Sequence, residues 1–386
     1  METYLTEKQS PASGTTATIA PLVSLRGNVM KQTQMDYDDV AVYDYTLPRE
    51  LIAQHPVEHR IDARLMLIDR KQGTIEHYYV RDLPDILEPG DALILNNSKV
   101  IPARLTGSRT STGGKWEGLY LQEDANGVWE ILSKTRGKLT PNETISLIDR
   151  EGRSQPMLAV IAHLEDGHLA VRPLSDEGTE NILANYGRIP LPPYIREGQM
   201  VDTDRESYQT VFAKEPGSVA APTAGLHFTA DLIRHLQSRG VLTASVTLHV
   251  GLGTFRPVSS KKLSSHKMHS EWCELPEGAC TRLSHARNGG ARVIAVGTTS
   301  TRVVEAAAQA TGSAYQPWQG STDIFIKPPY EFRAIDGLLT NFHLPKSTLL
   351  ALVSALAGRD LIMQAYAEAI EQRYRFYSYG DCMLII

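Results

Sequence analysis

Gly217-Ser-Val-Ala-Ala-Pro-Thr-Ala-Gly-Leu-His-Phe-Thr229 opens a stretch that closes on Thr243-Ala-Ser-Val-Thr-Leu-His-Val-Gly-Leu-Gly-Thr-Phe-Arg-Pro257, and the architecture follows from it. Small residues in the first block let backbone approach a ligand closely, while Thr223, Gly225 and His227 put polar groups and space side by side. Thr229 then reads as a helix N-cap, with Leu232, Ile233 and Leu236 on one face and Gly240 as the stop. A strand over 243–250 ends in a second glycine-rich turn, which has His249 at its mouth and Gly251, Gly253 and Thr254 within it. In an open α/β sheet, ligands sit beyond the carboxyl ends of strands, so both turns are expected to face one crevice. Taken singly, each glycine equally makes an ordinary turn and each histidine is equally a satisfied loop residue.

Working outward, 386 residues suffice for two cores, and 42% hydrophobic with 22% charged residues is ordinary for a soluble globular chain. The formal net charge of -5 argues against a non-specific nucleic-acid binder but leaves room for an enzyme with a local basic patch. Cys273, Cys280 and Cys382 form no CxxC pair and no zinc spacing, which predicts a reducing, cytoplasmic setting and no metal. The longest uncharged apolar run, 347–358, is too short to span a bilayer and reads as a buried helix.

Residues 1–39, rich in Thr, Ser, Ala and Pro, read as a disordered tail, with Met30 and Met35 as alternative starts. Thr46 and Pro48 predict a helix running toward His55-Pro56. Short apolar runs at 65–68, 92–95, 118–121, 129–132 and 169–171, separated by turn residues, predict a small inserted β-barrel over 66–187. A mixed α/β catalytic domain then comprises 40–65 and 188–386. Farther on, Ala291-Arg-Val-Ile-Ala-Val296 reads as a strand entering Gly297-Thr-Thr-Ser-Thr-Arg302, before a helix over 303–310. Amides and hydroxyls at such a helix start suit a carboxylate or phosphate, although a plain hydroxyl cap has the same look. Asn341 and His343 sit at the entry to another helix opened by Pro345. Lys261, Lys262 and Lys267 fall in a polar segment that is either a solvated or a phosphate-contacting loop.

Asp62-Ala-Arg-Leu65, Asn96 to Leu105, Gly217 to Thr229, Thr247 to Pro257, Lys267-Met-His-Ser-Glu271, Gly297-Thr-Thr-Ser300, Thr340 to Leu350 and Tyr374 to Asp381 are long blocks in a fixed order. Together they resemble the S-adenosylmethionine:tRNA ribosyltransferase-isomerase family of queuosine biosynthesis. The resemblance covers the chain from about Tyr43 to its C-terminus. It implies a mixed α/β domain interrupted by a small β-barrel. The implied reaction moves the ribosyl part of S-adenosylmethionine, as co-substrate, onto 7-aminomethyl-7-deazaguanine at the tRNA wobble position, and isomerises it to give epoxyqueuosine-tRNA with loss of adenine and methionine. Asn97, Ser98 and Lys99 depart from the Asp, Thr and Arg usual there, as do Pro329 and Cys382 from a usual Gly and Ala.

With this chemistry in view, His227 and His249 are the leading general-base candidates and His343 and Asp381 the next. Thr298, Thr299 and Arg302, beside Gly297 and Asn341, are candidates for holding the methionine carboxylate and nucleoside. Lys99, Arg104, Arg196, Lys261, Lys262 and Lys267 are candidate RNA phosphate contacts, and Phe228 and Tyr379 candidate base stackers. The enzyme is expected to be a monomer that touches no membrane. Two other classes stay open at this level: a transferase using a nucleotide or phosphosugar on a small molecule, and a non-catalytic tRNA-binding protein.

Overall fold

The computed structural model describes residues 35–251 and 260–386, and Asp36–Ile386 forms one compact unit. Its first strands are β1 (Arg64–Asp69), β2 (Thr74–Tyr79), β3 (Ala92–Asn96) and β4 (Ser98–Val100). Six barrel strands follow: β5 (Arg104–Arg109), β6 (Lys115–Glu123), β7 (Trp129–Thr135), β8 (Thr144–Ile148), β9 (Ser154–His163) and β10 (His168–Pro173). They close in the order β10-β7-β6-β5-β8-β9. Then come β11 (Glu215–Ser218), β12 (Leu242–Leu248), β13 (Glu271–Leu275), β14 (Val293–Val296), β15 (Trp318–Thr322), β16 (Gly337–Asn341) and β17 (Cys382–Ile385). The large sheet runs β15-β13-β12-β3-β14-β16-β17-β1-β2, and β11 pairs separately with β4. The helices are α1 (Leu83–Ile86), α2 (Thr179–Tyr186), α3 (Asp204–Ser207), α4 (Ala230–Ser238), α5 (Glu277–Asn288), α6 (Thr298–Thr311), α7 (Thr348–Ala357) and α8 (Arg359–Glu371).

The period of two along a strand divides the sheet's side chains between two cores. Ala92 and Ile94 of β3, Val293 and Ala295 of β14, Leu338 of β16 and Met383 of β17 face one core. Their neighbours Leu93, Leu95, Ile294, Val296, Leu339 and Leu384 face the other, where Phe228, Leu232 and Leu236 cover them. Strands buried on both faces carry near-continuous apolar runs, as β3 and β14 do in the middle of the parallel set β12, β3, β14 and β16. Each fully buried Leu or Ile contributes about 1.5–3 kcal/mol to holding this centre. The barrel has its own core of Trp116, Trp129, Ile131, Leu147 and Leu158. Both indoles are satisfied, Trp116 Nε1 by Ser133 Oγ at 2.8 Å and Trp129 Nε1 by Thr179 Oγ1 at 3.0 Å. Gly118 is required beneath Trp116, since a β-carbon there would lie 2.2 Å from the indole ring.

The mixed α/β fold with a closed barrel is as expected, but its internal boundaries differ. Barrel strands begin at Arg104 rather than 66 and end at Pro173, because 65–68 and 92–95 are β1 and β3 of the large sheet. The helix predicted toward His55 is a single 3-10 turn, Arg49–Leu51; Ala53 N instead donates to Phe376 O at 3.3 Å. Order also begins before residue 40, since Asp38 accepts from Lys327 Nζ at 2.6 Å and Ser264 Oγ at 2.6 Å. Thr229 caps α4 as predicted, accepting from Leu232 N at 3.1 Å. Among the described residues no single helix is long and apolar enough to cross a membrane.

Candidate active site

β14 and β16 lie side by side and parallel, so their carboxyl ends open at one edge of the sheet. Leaving β14, the chain passes Gly297 at φ 92 and enters α6 at once, a conformation that favours glycine. The start of α6 has no side-chain cap, so its first-turn amides and the positive end of its dipole are left for another partner. Leaving β16, the chain turns through His343 and Pro345 into α7, whose cap Ser347 accepts from Leu350 N at 3.2 Å. Between these two helix starts is a pocket of about 210 Å³. Ala220 to Ala224 forms one wall, and Tyr194, Tyr377 and Ser378 another.

A hydrogen-bonded chain stiffens this pocket. Thr223 Oγ1 donates to Asn341 Oδ1 at 2.8 Å, which orients the amide; Asn341 Nδ2 then faces Tyr377 O at 3.1 Å and His227 Nε2 at 3.3 Å. His343 Nε2 lies 3.0 Å from Thr340 Oγ1, and its backbone N–H donates to the Tyr366 hydroxyl at 2.8 Å. Burial, and then the Arg60 and Arg375 guanidiniums, lower the His227 pKa to about 4. Burial alone lowers that of His343 to about 3. Both rings are therefore neutral near pH 7. Thr299 Oγ1, in the pocket wall, is buried with no hydrogen-bond partner, an unmet group that costs about 1–3 kcal/mol until a ligand answers it.

A family model described as queuosine biosynthesis protein matches residues 40–385. This chain belongs to the queuosine biosynthesis protein family. It is 51% identical over 344 residues to the S-adenosylmethionine:tRNA ribosyltransferase-isomerase of Symbiobacterium thermophilum, covering 89% of this chain and 98% of that one. The protein of the same description from Desulfitobacterium hafniense is 48% identical, with 89% and 98% covered. A crystal structure of S-adenosylmethionine tRNA ribosyltransferase from Thermotoga maritima matches with a TM-score of 0.51 at 36% identity, covering 89% of this chain and 100% of that one. The resemblance read from the sequence blocks is thus borne out.

Of the residues singled out in the sequence of this family member, Thr223, Gly297, Thr298, Thr299, Asn341 and His343 line the pocket. His227 stands directly behind Asn341. His249 does not join them: its Nδ1 is 2.8 Å from Ser98 Oγ, and its ring stacks on Trp272 at 5.4 Å. Asp381 spends its two oxygens on the backbone N–H groups of Arg64 at 2.8 Å and Arg375 at 2.7 Å, so it staples the fold rather than acting as a base. Gly225 makes room for Phe212, whose ring would be 2.6 Å from a β-carbon there, and not for a ligand. Gly251 N donates to Glu271 Oε1 at 2.9 Å, and Arg302 is paired with the same carboxylate inside the core. Gly253 and Thr254 lie outside the described residues.

The RNA candidates divide in the same way. Lys99, Lys261, Lys262 and Lys267 are exposed. Arg104 is committed to Gly198 O at 2.5 Å and Glu117 at 3.3 Å, and Arg196 to Asp204 and Gln54, so both serve the fold. Phe228 is wholly buried and has no face to offer a base; Tyr379 is buried too, and donates to Asp204 Oδ1 at 2.7 Å. The aromatic pair that does border the pocket, Tyr194 and Tyr377 with centroids 4.8 Å apart, was not singled out in the sequence. Tyr377 holds φ 71, a left-handed conformation that a residue with a β-carbon adopts at a cost of about 1–3 kcal/mol and that is concentrated at functional sites.

Proposed function

We infer that this chain is an enzyme of queuosine biosynthesis, a transferase-isomerase that moves the ribosyl moiety of S-adenosylmethionine onto 7-aminomethyl-7-deazaguanine in tRNA and releases adenine and methionine. The sulfonium of this co-substrate acidifies the neighbouring C5′ hydrogens, so the protein must supply a proton acceptor, a carboxylate anchor and a seat for the departing adenine. The observation that carries the assignment of roles is the pocket at the ends of β14 and β16, with two helix starts and an unmet Thr299 hydroxyl in its wall.

In this reading the first amides of α6 and the hydroxyls of Thr298 and Thr299 hold the methionine carboxylate, where the helix dipole favours negative charge. Tyr194 and Tyr377 offer aromatic surface to a purine ring. His227, neutral at working pH, is the proton acceptor; its Nε2 lone pair becomes available when the Asn341 amide turns to the substrate. His343 shapes the wall through Thr340. The protein acts in the cytoplasm as a monomer, and its three buried, unpaired cysteines agree with a reducing compartment.

The test combines purified protein, S-adenosylmethionine and an anticodon stem-loop carrying the modified base, with mass spectrometry of the RNA and chromatography of adenine. An epoxycyclopentanediol mass gain with matching adenine release is expected. Turnover on the free nucleoside without RNA would instead point to a small-molecule transferase, and binding of the RNA with neither product to a binding protein.

A further inference from the structure

Adjoining the main pocket, and sharing Ser378 with it, is a recess of about 20 Å³ whose wall includes Pro56, Arg60, Ser207, His227 and Tyr379. Arg60 is aimed by its Nη2, which donates to Glu206 O at 2.8 Å and Gln209 O at 2.9 Å. Its Nη1 is buried and makes no hydrogen bond. Tyr379 donates its own proton to Asp204, so the Ser207 hydroxyl is the donor in its long 3.3 Å bond to the Tyr379 oxygen, a bond that a charged acceptor in the recess would outcompete. Of the nearby carboxylates, Asp204 is answered by Arg196, Tyr379 and Val201 N and Asp381 by two backbone amides, while Glu206 is exposed to solvent. Positive charge therefore prevails in the recess, and burial followed by Arg60 and Arg375 is what depresses the His227 pKa.

A half-buried guanidinium with one buried, unmet donor, a hydroxyl held only by a long bond and room for little more than one oxygen atom suit the terminal oxygens of an oxyanion. Two sources are at hand, a phosphate of the RNA and the carboxylate of S-adenosylmethionine. The surroundings favour the RNA. Arg205, exposed on the same short helix as Ser207, acts electrostatically on Arg150, as does Arg188; the Arg150 pKa is lowered by partial burial and then by these two like charges, with Asp202 opposing them. Three arginines within electrostatic reach of one another, one of them two residues from Ser207, match a polyanionic backbone better than a single carboxylate.

We propose that the recess walled by Arg60 and Ser207 is an oxyanion subsite for a backbone phosphate of the RNA substrate, next to the nucleotide whose base enters the main pocket. The proposal rests on the ribosyl-transfer reading, which wild-type turnover in the same preparation establishes separately.

The experiment measures binding of the anticodon stem-loop by fluorescence anisotropy between about 50 and 200 mM salt, and the KM for S-adenosylmethionine, for wild type, Arg60→Gln, Ser207→Ala and Arg205→Gln. For Arg60→Gln the RNA affinity is expected to fall roughly 10-fold, with the slope of log affinity against log salt smaller by about one, while the KM for S-adenosylmethionine stays within about two-fold. Ser207→Ala, which removes one uncharged donor and leaves the backbone staples of Arg60 intact, is expected to weaken RNA about 3-fold without moving that KM. It decides the matter if Arg60→Gln does not fold. Arg205→Gln is expected to reduce the salt slope alone. An unchanged RNA affinity with a raised KM for S-adenosylmethionine would overturn the proposal in favour of the carboxylate, and no change in either quantity would show that the recess takes no anion.

Discussion

Asn341 presents its amide nitrogen to His227 Nε2 at 3.3 Å while its oxygen accepts the Thr223 hydroxyl at 2.8 Å. With the amide oriented in this way, Nε2 is the acceptor nitrogen of His227 and the proton sits on Nδ1. Asn341→Asp retains size but faces Tyr377 O and the imidazole lone pair with a second carboxylate oxygen. Single-turnover adenine release is expected to slow at least about 100-fold, the scale of losing a positioned acid–base group. A variant as fast as wild type would remove His227 from the chemistry.

The histidines also set the response to acid. His227 and His343 have folded pKa values of about 4 and 3, below the ordinary 6.5. As pH falls through 6.5 the unfolded chain takes up protons that the fold refuses, so the stability they contribute is complete above about 6.5 and drains away toward pH 4. At pH 4.5 the loss is on the order of 2–3 kcal/mol for each ring. Thermal melts across this range are expected to show a steep fall, shallower in His343→Asn. A melting temperature flat from pH 7 to 4.5 would contradict it.

Thr299→Val separates binding from stability. Valine fills the same space without the buried hydroxyl that has no partner in the free protein. The unliganded variant is expected to be as stable as wild type or slightly more so, with a KM for S-adenosylmethionine about 10-fold higher, the cost of one hydrogen bond to a charged group. Melting curves and initial rates measured together check both halves.

Arg302 combines a core ion pair with two buried donors, Nε and Nη2, that make no hydrogen bond. It is buried against Glu271 and is not part of the pocket wall. Arg302→Met removes one buried partner of Glu271, and breaking a buried pair from one side costs up to about 3–5 kcal/mol. Urea unfolding is expected to show that loss, while the KM for S-adenosylmethionine of the folded fraction changes little. A large KM effect without destabilisation would return Arg302 to the ligand site.

Much of this arrangement was legible wherever the signal is local. The Thr229 cap, the apolar face of α4 and the strand β12 depend on neighbours a few residues away, and they appear where the sequence puts them. The barrel's edges were not, because 65–68 and 92–95 look like any short strand; only their distant parallel partners, β17 for β1 and β12 and β14 for β3, assign them to the large sheet. The hydroxyl run after Gly297 read as a turn, yet Ser300 Oγ bonds back to Val296 O at 2.8 Å and Thr301 Oγ1 to Gly297 O at 3.3 Å, so the helix starts at once. Residue types picked out both His227 and His249, but the pairing of His227 with Asn341 spans 114 residues and becomes visible only in the fold. Tyr194 and Tyr377 gave no sign at all, since aromatics beside Pro or Ser in a chain are ordinarily core.

The most direct measurement is a crystal structure of the protein with S-adenosylmethionine bound. Its carboxylate is expected against the amides of Thr298 and Thr299 and its adenine beside Tyr194 and Tyr377, with C5′ toward Asn341 and His227. Ligand density outside this pocket, for instance against His249 and Trp272, would contradict the assignment of the site.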